Sequence, residues 1–462
     1  MTLEKTLATP AHASPPLARG LPLLGNVLDL TGHLPAFFLK NYYKHGPIYR
    51  VLVFNQTYTV LAGPEANIFM SRKGNDHLRS YELWHEQNAQ YGAQNSLISM
   101  DGEPHARLRK VQKRGYSRSA IDGHYPEAVD VVQREVQGWE ADRSMPVMEF
   151  MQRIVTEQLG TIVANYAPGD YVKDVRVVLR TLLLTTVTKQ APRLLLHLPA
   201  YRKARARVWE LGHKIIAAHR DGPAEGREPD LIDDLLAAAA DESLLPRSDL
   251  LIGVLGPYIA GLDTVASTCG FMLYALLKDP DLLQRAQAEA DELFANGVPA
   301  PEALRHADVL HRAAQETLRI YPIAPATQRT VTAAFEFGGC RVETGERLFI
   351  ATASPHFMPE LYPDPYKFDI DRYLPGRAEH RTPGAYAPFG QGAHTCLGAG
   401  FAEVQIMLTM AALLHAADLE MDPPGYNLKT SHIPNPKPEG KFRVRMQKKR
   451  AALDPKQPRH WE

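Results

Sequence analysis

The 462-residue chain has almost no cysteine: Cys269, Cys340 and Cys396 are the whole set. Three widely spaced thiols make a poor disulfide framework and suit a reducing compartment. Without Cys-x-x-Cys spacing they cannot close a tetrahedral zinc site by themselves. The chain also lacks net charge, with Lys plus Arg and Asp plus Glu at 52 each, which removes any global argument for nucleic acid or an acidic partner. Near the N-terminus no apolar run approaches the ~20 residues of a membrane-spanning helix. Residues 21–30 are apolar but broken by Pro22, Gly25, Asn26 and Asp29. Neither signal peptide nor membrane anchor is expected, and a soluble cytoplasmic protein is. Internal repeats, linker-like composition and low-complexity tracts beyond residues 237–240 are absent as well. With 45% apolar residues, one large domain over residues 21–462 is expected after a disordered segment at residues 1–20.

What is present concentrates at residues 387–398, Ala-Pro-Phe-Gly-Gln-Gly-Ala-His-Thr-Cys-Leu-Gly. This glycine-rich loop runs into an apolar helical pattern at residues 400–414, with Phe401, Val404, Met407, Leu408 and Ala411 at helical spacing. Cys396 therefore stands at or just before a helix N-terminus, where free backbone N–H groups and the positive dipole end favour a thiolate, the form that binds metal. Gly390, Gly392 and Gly398 remove Cβ atoms where a flat ligand would approach the backbone, and Phe389 offers an apolar anchor.

Three other stretches carry chemistry. Residues 248–277 read as a long helix buried all round. Within it Pro257 leaves the Gly253 carbonyl without its N–H donor and predicts a kink just upstream, while the Thr264 hydroxyl can bond back to the Ala260 carbonyl and, with Gly261, open a groove. Asp263 lies inside this apolar run, where an unpaired carboxylate is costly. A helix beginning after Asp101, its candidate cap, puts His105 and Arg109 four apart on one face. The same helix carries Lys110, Lys113 and Arg114, either a solvated face or a docking patch for an acidic partner. A helix over residues 306–320 places Glu316 three residues before Arg319 and ends at Tyr321 and Pro322. Elsewhere the pattern predicts a helix over 33–45, a strand pair at 48–54 and 57–61, a helix over 64–72, an irregular stretch over 81–100, and strands near 336–342 and 347–351.

Phe389, Gly392, His394, Cys396 and Gly398 match in order and spacing the cysteine loop of the cytochrome P-450 (haem-thiolate monooxygenase) superfamily, and the chain resembles its soluble bacterial-type members from about residue 21 to 446. The resemblance implies a mainly α fold with a smaller β-rich subdomain. It also implies haem b held non-covalently, for no c-type attachment motif exists, with Cys396 as axial ligand to the iron, an assignment that comes with the family and not from this chain's spacing. By the same resemblance, Phe389, Gly390, Gly398 and Ala260 would contact the haem, and His105, Arg109, Arg329 and His394 would hold its propionates. Asp263 and Thr264 would steer protons. Glu316, Arg319 and Arg372 would be structural. Leu97, Ile98, Ala260, Ile323 and Ala324 would line a cavity for a small apolar substrate. The implied reaction inserts one atom of O2 into that substrate by hydroxylation or epoxidation. Electrons would come ultimately from NAD(P)H through a separate ferredoxin-type or flavodoxin-type donor and its reductase. A peroxide-using or isomerising relative would be expected to lack the acid and threonine pair, and a haem sensor or carrier would leave the kinked helix without purpose.

Overall fold

The computed structural model describes residues 14–223 and 227–451. Fourteen helices of eight or more residues dominate it. In chain order, α1 (Leu34–His45) precedes the hairpin of β1 (Ile48–Val53) and β2 (Gln56–Ala62), followed by α2 (Pro64–Arg72), the short β3 (Leu78–Arg79), α3 (Tyr81–Gln90), α4 (Gly102–Gln112) and α5 (Tyr125–Gln137). Next come β4 (Ser144–Pro146), α6 (Val147–Val163), α7 (Val172–Leu182), α8 (Pro199–Ala218), α9 (Leu231–Ala238), α10 (Arg247–Val254), α11 (Gly256–Lys278), α12 (Pro280–Leu293) and α13 (Asp308–Ile320). Strands β5 (Thr327–Val331), β6 (Phe335–Phe337), β7 (Cys340–Val342) and β8 (Arg347–Ala351) lead through a long irregular stretch to α14 (Ala399–Ala416). The chain closes with β9 (Ala417–Asp422), β10 (Thr430–Ser431), β11 (Lys437–Pro438) and β12 (Arg443–Lys449).

The main core forms where α5, α6, α11 and α14 pack together, with Tyr125, Phe150, Tyr258 and Phe401 of these helices buried in it. Helices α11 and α14 are apolar on nearly every face, and they belong to the two segments long and apolar enough to cross a bilayer; both lie in the core. A five-stranded sheet of order β1-β2-β8-β5-β3 stands to one side, antiparallel except for the β2/β8 pair. Smaller sheets are β4-β12-β9, β6-β7 and β10-β11.

Three expectations change. Within residues 1–20, 14–20 are ordered: Leu17 bridges Arg50, the Ala18 N–H donates to the Arg50 carbonyl and Ala18 is buried. Residues 1–13 lie outside the described residues. The stretch 81–100, read as irregular, begins with the helix α3, whose buried side chains include Gln87 and Asn88. Buried amides leave no apolar periodicity to read. The segment 248–277 is two helices meeting at Leu255, two residues before Pro257, as the missing N–H predicts.

Candidate functional site

The cysteine loop is a tight reversal closed by the Cys396 N–H donating to the Phe389 carbonyl at 2.8 Å, with the Gly390 N–H on the Ala387 carbonyl and the Thr395 N–H on the Gly392 carbonyl. Gly390 and Gly392 both take positive φ, +72° and +81°. A Cβ at Gly392 would stand 2.5 Å from the Met70 carbonyl oxygen, so packing on α2 already requires this glycine. At Gly390 a Cβ would only touch the His394 carbonyl oxygen at 4.0 Å, leaving its left-handed backbone as the reason for glycine. Cys396 is exposed, three residues before α14. The thiolate expected from the helix N-terminus is opposed by desolvation: burial by surrounding protein pushes the thiol up, while the Gly398 N–H and Arg109 pull it down. Bonding to a metal cation would reverse that balance.

Beside the cysteine lies a cluster of cationic and imidazole side chains. Arg109 donates to the Thr395 carbonyl at 2.6 Å. The buried His105 ring stacks on His394 at 4.4 Å, and burial, with His394 and Arg109 nearby, pushes its pKa down to about 4, so it is neutral at neutral pH. His394 Nε2 meets Asp101 at 2.9 Å. Arg329 contacts only the neighbouring Gln328 carbonyl and has no carboxylate within ion-pair distance among the described residues; burial lowers its pKa, and Asp101 acts in the opposite direction. Asp101 stands at the N-cap of α4 but does not cap it, spending its carboxylate on the Ser80 N–H and on His394.

Helix α11 is buried along most of its length, yet Ala260 and Thr264, one turn apart, are exposed. The Thr264 hydroxyl donates to the Ala260 carbonyl at 2.7 Å, as its spacing predicted. Gly261 serves a different purpose from the groove expected of it: a Cβ there would collide with Leu159 on α6, so it sets the approach of two helices. Asp263 is buried but not unpaired, accepting from the Gln152 amide at 2.5 Å with the Lys437 ammonium 3.9 Å away. Of the side chains expected to line a cavity, Ile98 and Ala324 are exposed, and Leu97 and Ile323 are half-buried.

Glu316, Arg319 and Arg372 converge in a fully buried triad. Arg319 grips both Glu316 oxygens at 2.8 Å, Arg372 reaches Oε1 at 3.2 Å, and the Tyr373 hydroxyl adds a bond to Oε2. The guanidinium groups go on to the carbonyls of His356, Pro363, Asp364 and Pro365, fastening the irregular stretch to α13. The docking patch loses a member: Arg114 makes a two-point pair with Asp234 on α9, leaving Lys110 and Lys113 exposed.

Two residues that matter here were missed in the sequence. His356 is buried and bridges the Arg319 carbonyl and the Ala387 N–H, joining the triad to the start of the cysteine loop. Tyr116 lies between Gly256, at the start of α11, and Gly398. The first sits in a proline-rich stretch and the second after a helix, and neither position carries periodicity to mark it.

This combination of a helical core, a side sheet, one cysteine in a glycine loop and a long helix broken at Leu255 defines a class. The family model "Cytochrome P450" matches residues 15–444, and the chain belongs to that family. Among its relatives, "Putative cytochrome P450 120" of Synechocystis is 26% identical, covering 94% of this chain and 96% of its own length. The "Cyclooctat-9-en-7-ol 5-monooxygenase" of Streptomyces melanosporofaciens is 27% identical over 89% of this chain and 92% of its own, and a "Sterol 14alpha-demethylase" of Mycolicibacterium vanbaalenii is 26% identical over 81% and 84%. The solved structure "Retinoic acid bound cyanobacterial CYP120A1" superposes with a TM-score of 0.81 at 26% identity, covering 94% of this chain and 99% of the other. The protein is thus an enzyme of the cytochrome P450 monooxygenase class, which uses haem, O2, an organic substrate and redox partners.

Proposed function

We propose that this enzyme inserts one oxygen atom from O2 into an apolar, isoprenoid-derived substrate by hydroxylation or epoxidation, taking electrons one at a time from a separate ferredoxin-type or flavodoxin-type donor supplied from NAD(P)H, in the cytoplasm. The observation that carries the reading is that Cys396 is exposed in its glycine loop and that the Ala260–Thr264 turn is exposed on an otherwise buried helix. The substrate class is supported by relatives whose names specify a sterol, a cyclooctatin precursor and retinoic acid, all products of isoprene chemistry. The apolar Leu97, Ile98, Ile323 and Ala324 suit such a ligand.

The residues present fit a haem. Cys396 supplies a soft sulfur donor. Arg329, half-buried without a carboxylate of its own, and Arg109 supply charge for two propionates, and the neutral His105, with His394 stacked on it, supplies N–H donors. Phe389, Gly390 and Gly398 would lie along the thiolate side and Ala260 along the other. When bound, the haem activates O2, and a thiolate ligand favours cleavage of the O–O bond. The chain's own work is to keep water scarce with an apolar lining, to hold a proton at the Thr264 hydroxyl, and to supply it from Asp263. Glu316, Arg319 and Arg372 act on this only by fixing the chain that leads to the cysteine.

Purified protein, reduced and exposed to carbon monoxide, is expected to give the absorption band of a thiolate-ligated haem, and Cys396→Ser to lose it. With a surrogate ferredoxin and reductase, retinoic acid and sterol or diterpene probes should displace the iron-bound water in difference spectra and yield oxygenated product. A normal band and ligand switching without any product would point to a sensor instead.

A further inference from the structure

Asp263 has a chain of partners that no other part of the site explains. Its Oδ1 accepts from Gln152 on α6, and its Oδ2 faces Lys437 on β11, at 3.9 Å. The strand β11 lies directly on α11, since a Cβ at Gly270 would come within 3.1 Å of the Pro438 ring. Lys437 is half-buried, whereas Asp263 and Gln152 are buried. On the outer side stand Arg176 and Arg180 of α7, neither with a carboxylate partner among the described residues; Arg180 is exposed. Asp263 thus faces one cation, Lys437, and Lys437 in turn feels the charge of the half-buried Arg176 and the exposed Arg180. Gln152 Oε1 is buried without a protein partner, the setting in which an ordered water is held.

We propose that Lys437 is the proton-loading group for Asp263, with Gln152 as the positioning residue that aims the carboxylate at it; this rests on the reading that Asp263 feeds protons toward Thr264. The Lys437 ammonium gives a proton, across one water at this separation, to Oδ2 of the Asp263 carboxylate. The products are a neutral amine and a carboxylic acid, and the amine then takes a proton from solvent. Asp263 stands loaded one residue before Thr264. Burial, along with Arg180 and Arg176, lowers the pKa of Lys437 while Asp263 raises it, which makes this ammonium a readier donor than a surface lysine.

Reductive methylation with a carbon-13 label lets Lys437 be followed by NMR, its resonance assigned by its absence in Lys437→Arg. It is expected to titrate below the bulk of the lysines and to move further down in Asp263→Asn. Titration with the bulk, unmoved by Asp263→Asn, overturns the pairing. In turnover with a probe found by the spectral screen, Lys437→Met should lower the fraction of electrons recovered in product by about tenfold, less than the roughly 100-fold or more of a group that acts directly on the reacting atoms, and change its pH profile, with Lys437→Arg differing from Met in keeping the charge and the donor hydrogens. If Asp263→Asn loses coupling while Lys437→Met keeps it, Lys437 is not the loading group although Asp263 still feeds protons. If Asp263→Asn itself keeps coupling, the role of Asp263 fails and this inference with it.

Discussion

His356 illustrates how much one buried side chain can decide. Its Nδ1 meets the Arg319 carbonyl at 3.1 Å and must donate, so its Nε2 accepts from the Ala387 N–H at 3.0 Å and the ring is neutral. Burial, with Arg319 adding to it, pushes the pKa down to about 3 from 6.5. A histidine lowered on folding leaves stability intact above the unfolded value and removes it as pH falls below that value, because the unfolded chain then binds the extra proton. Between about pH 7 and about pH 5 this group should cost about 2 kcal/mol. Urea unfolding of wild type and His356→Gln at both pH values is expected to show the smaller acid loss in the variant. At Thr264 the hydroxyl is bonded only within its own helix, so Thr264→Ala should keep haem content and fold. It should divert electrons from product to released hydrogen peroxide, raising the peroxide yield several-fold, which a peroxide assay against electron consumption reads.

At the scale of elements, the segment after α3 shows how a loop without apolar packing is held. Asn88 bonds Ser96 and Ser99, and the Asp249 carboxylate on α10 accepts from the N–H groups of Gln94 and Asn95 at 2.8 and 3.1 Å. Two charge-assisted bonds to backbone are worth roughly 1.5–3 kcal/mol each. The loop carrying Leu97 and Ile98 is thereby clipped to the helix just before the Leu255 break. Asp249→Ala is expected to speed hydrogen exchange of residues 94–100 by at least tenfold while leaving α14 unchanged. Unchanged exchange in that loop would mean the clip is redundant. Helix α3 itself was illegible because its buried groups are amides, whereas α11 and α14 were legible because burial on all sides demands apolar residues throughout.

The whole molecule is electrically balanced, so any partner surface must be local. At the end of α4, Lys110 and the C-cap residue Lys113 remain exposed, while Arg114, just beyond the helix, is held by Asp234. Changing both lysines to Glu should weaken binding of an acidic electron donor by about tenfold at low ionic strength, with the difference from wild type shrinking as salt rises, as surface charge predicts. Titration of donor affinity at several salt concentrations measures it. The sequence alone settled the class of fold, the cysteine loop, the Glu316–Arg319 spacing, the Thr264 back-bond and the break near Pro257, because each depends on residues within one or two helical turns of one another. Only the tertiary structure decided that Gly261 and Gly392 answer to Leu159 and Met70, that Asp101 turns from its helix to His394, that His356 joins the triad to the cysteine loop, and that Asp263 belongs with Gln152 and Lys437. Those partners lie tens to hundreds of residues away in the chain, and nothing in a local pattern encodes which distant side chain a buried polar group will meet.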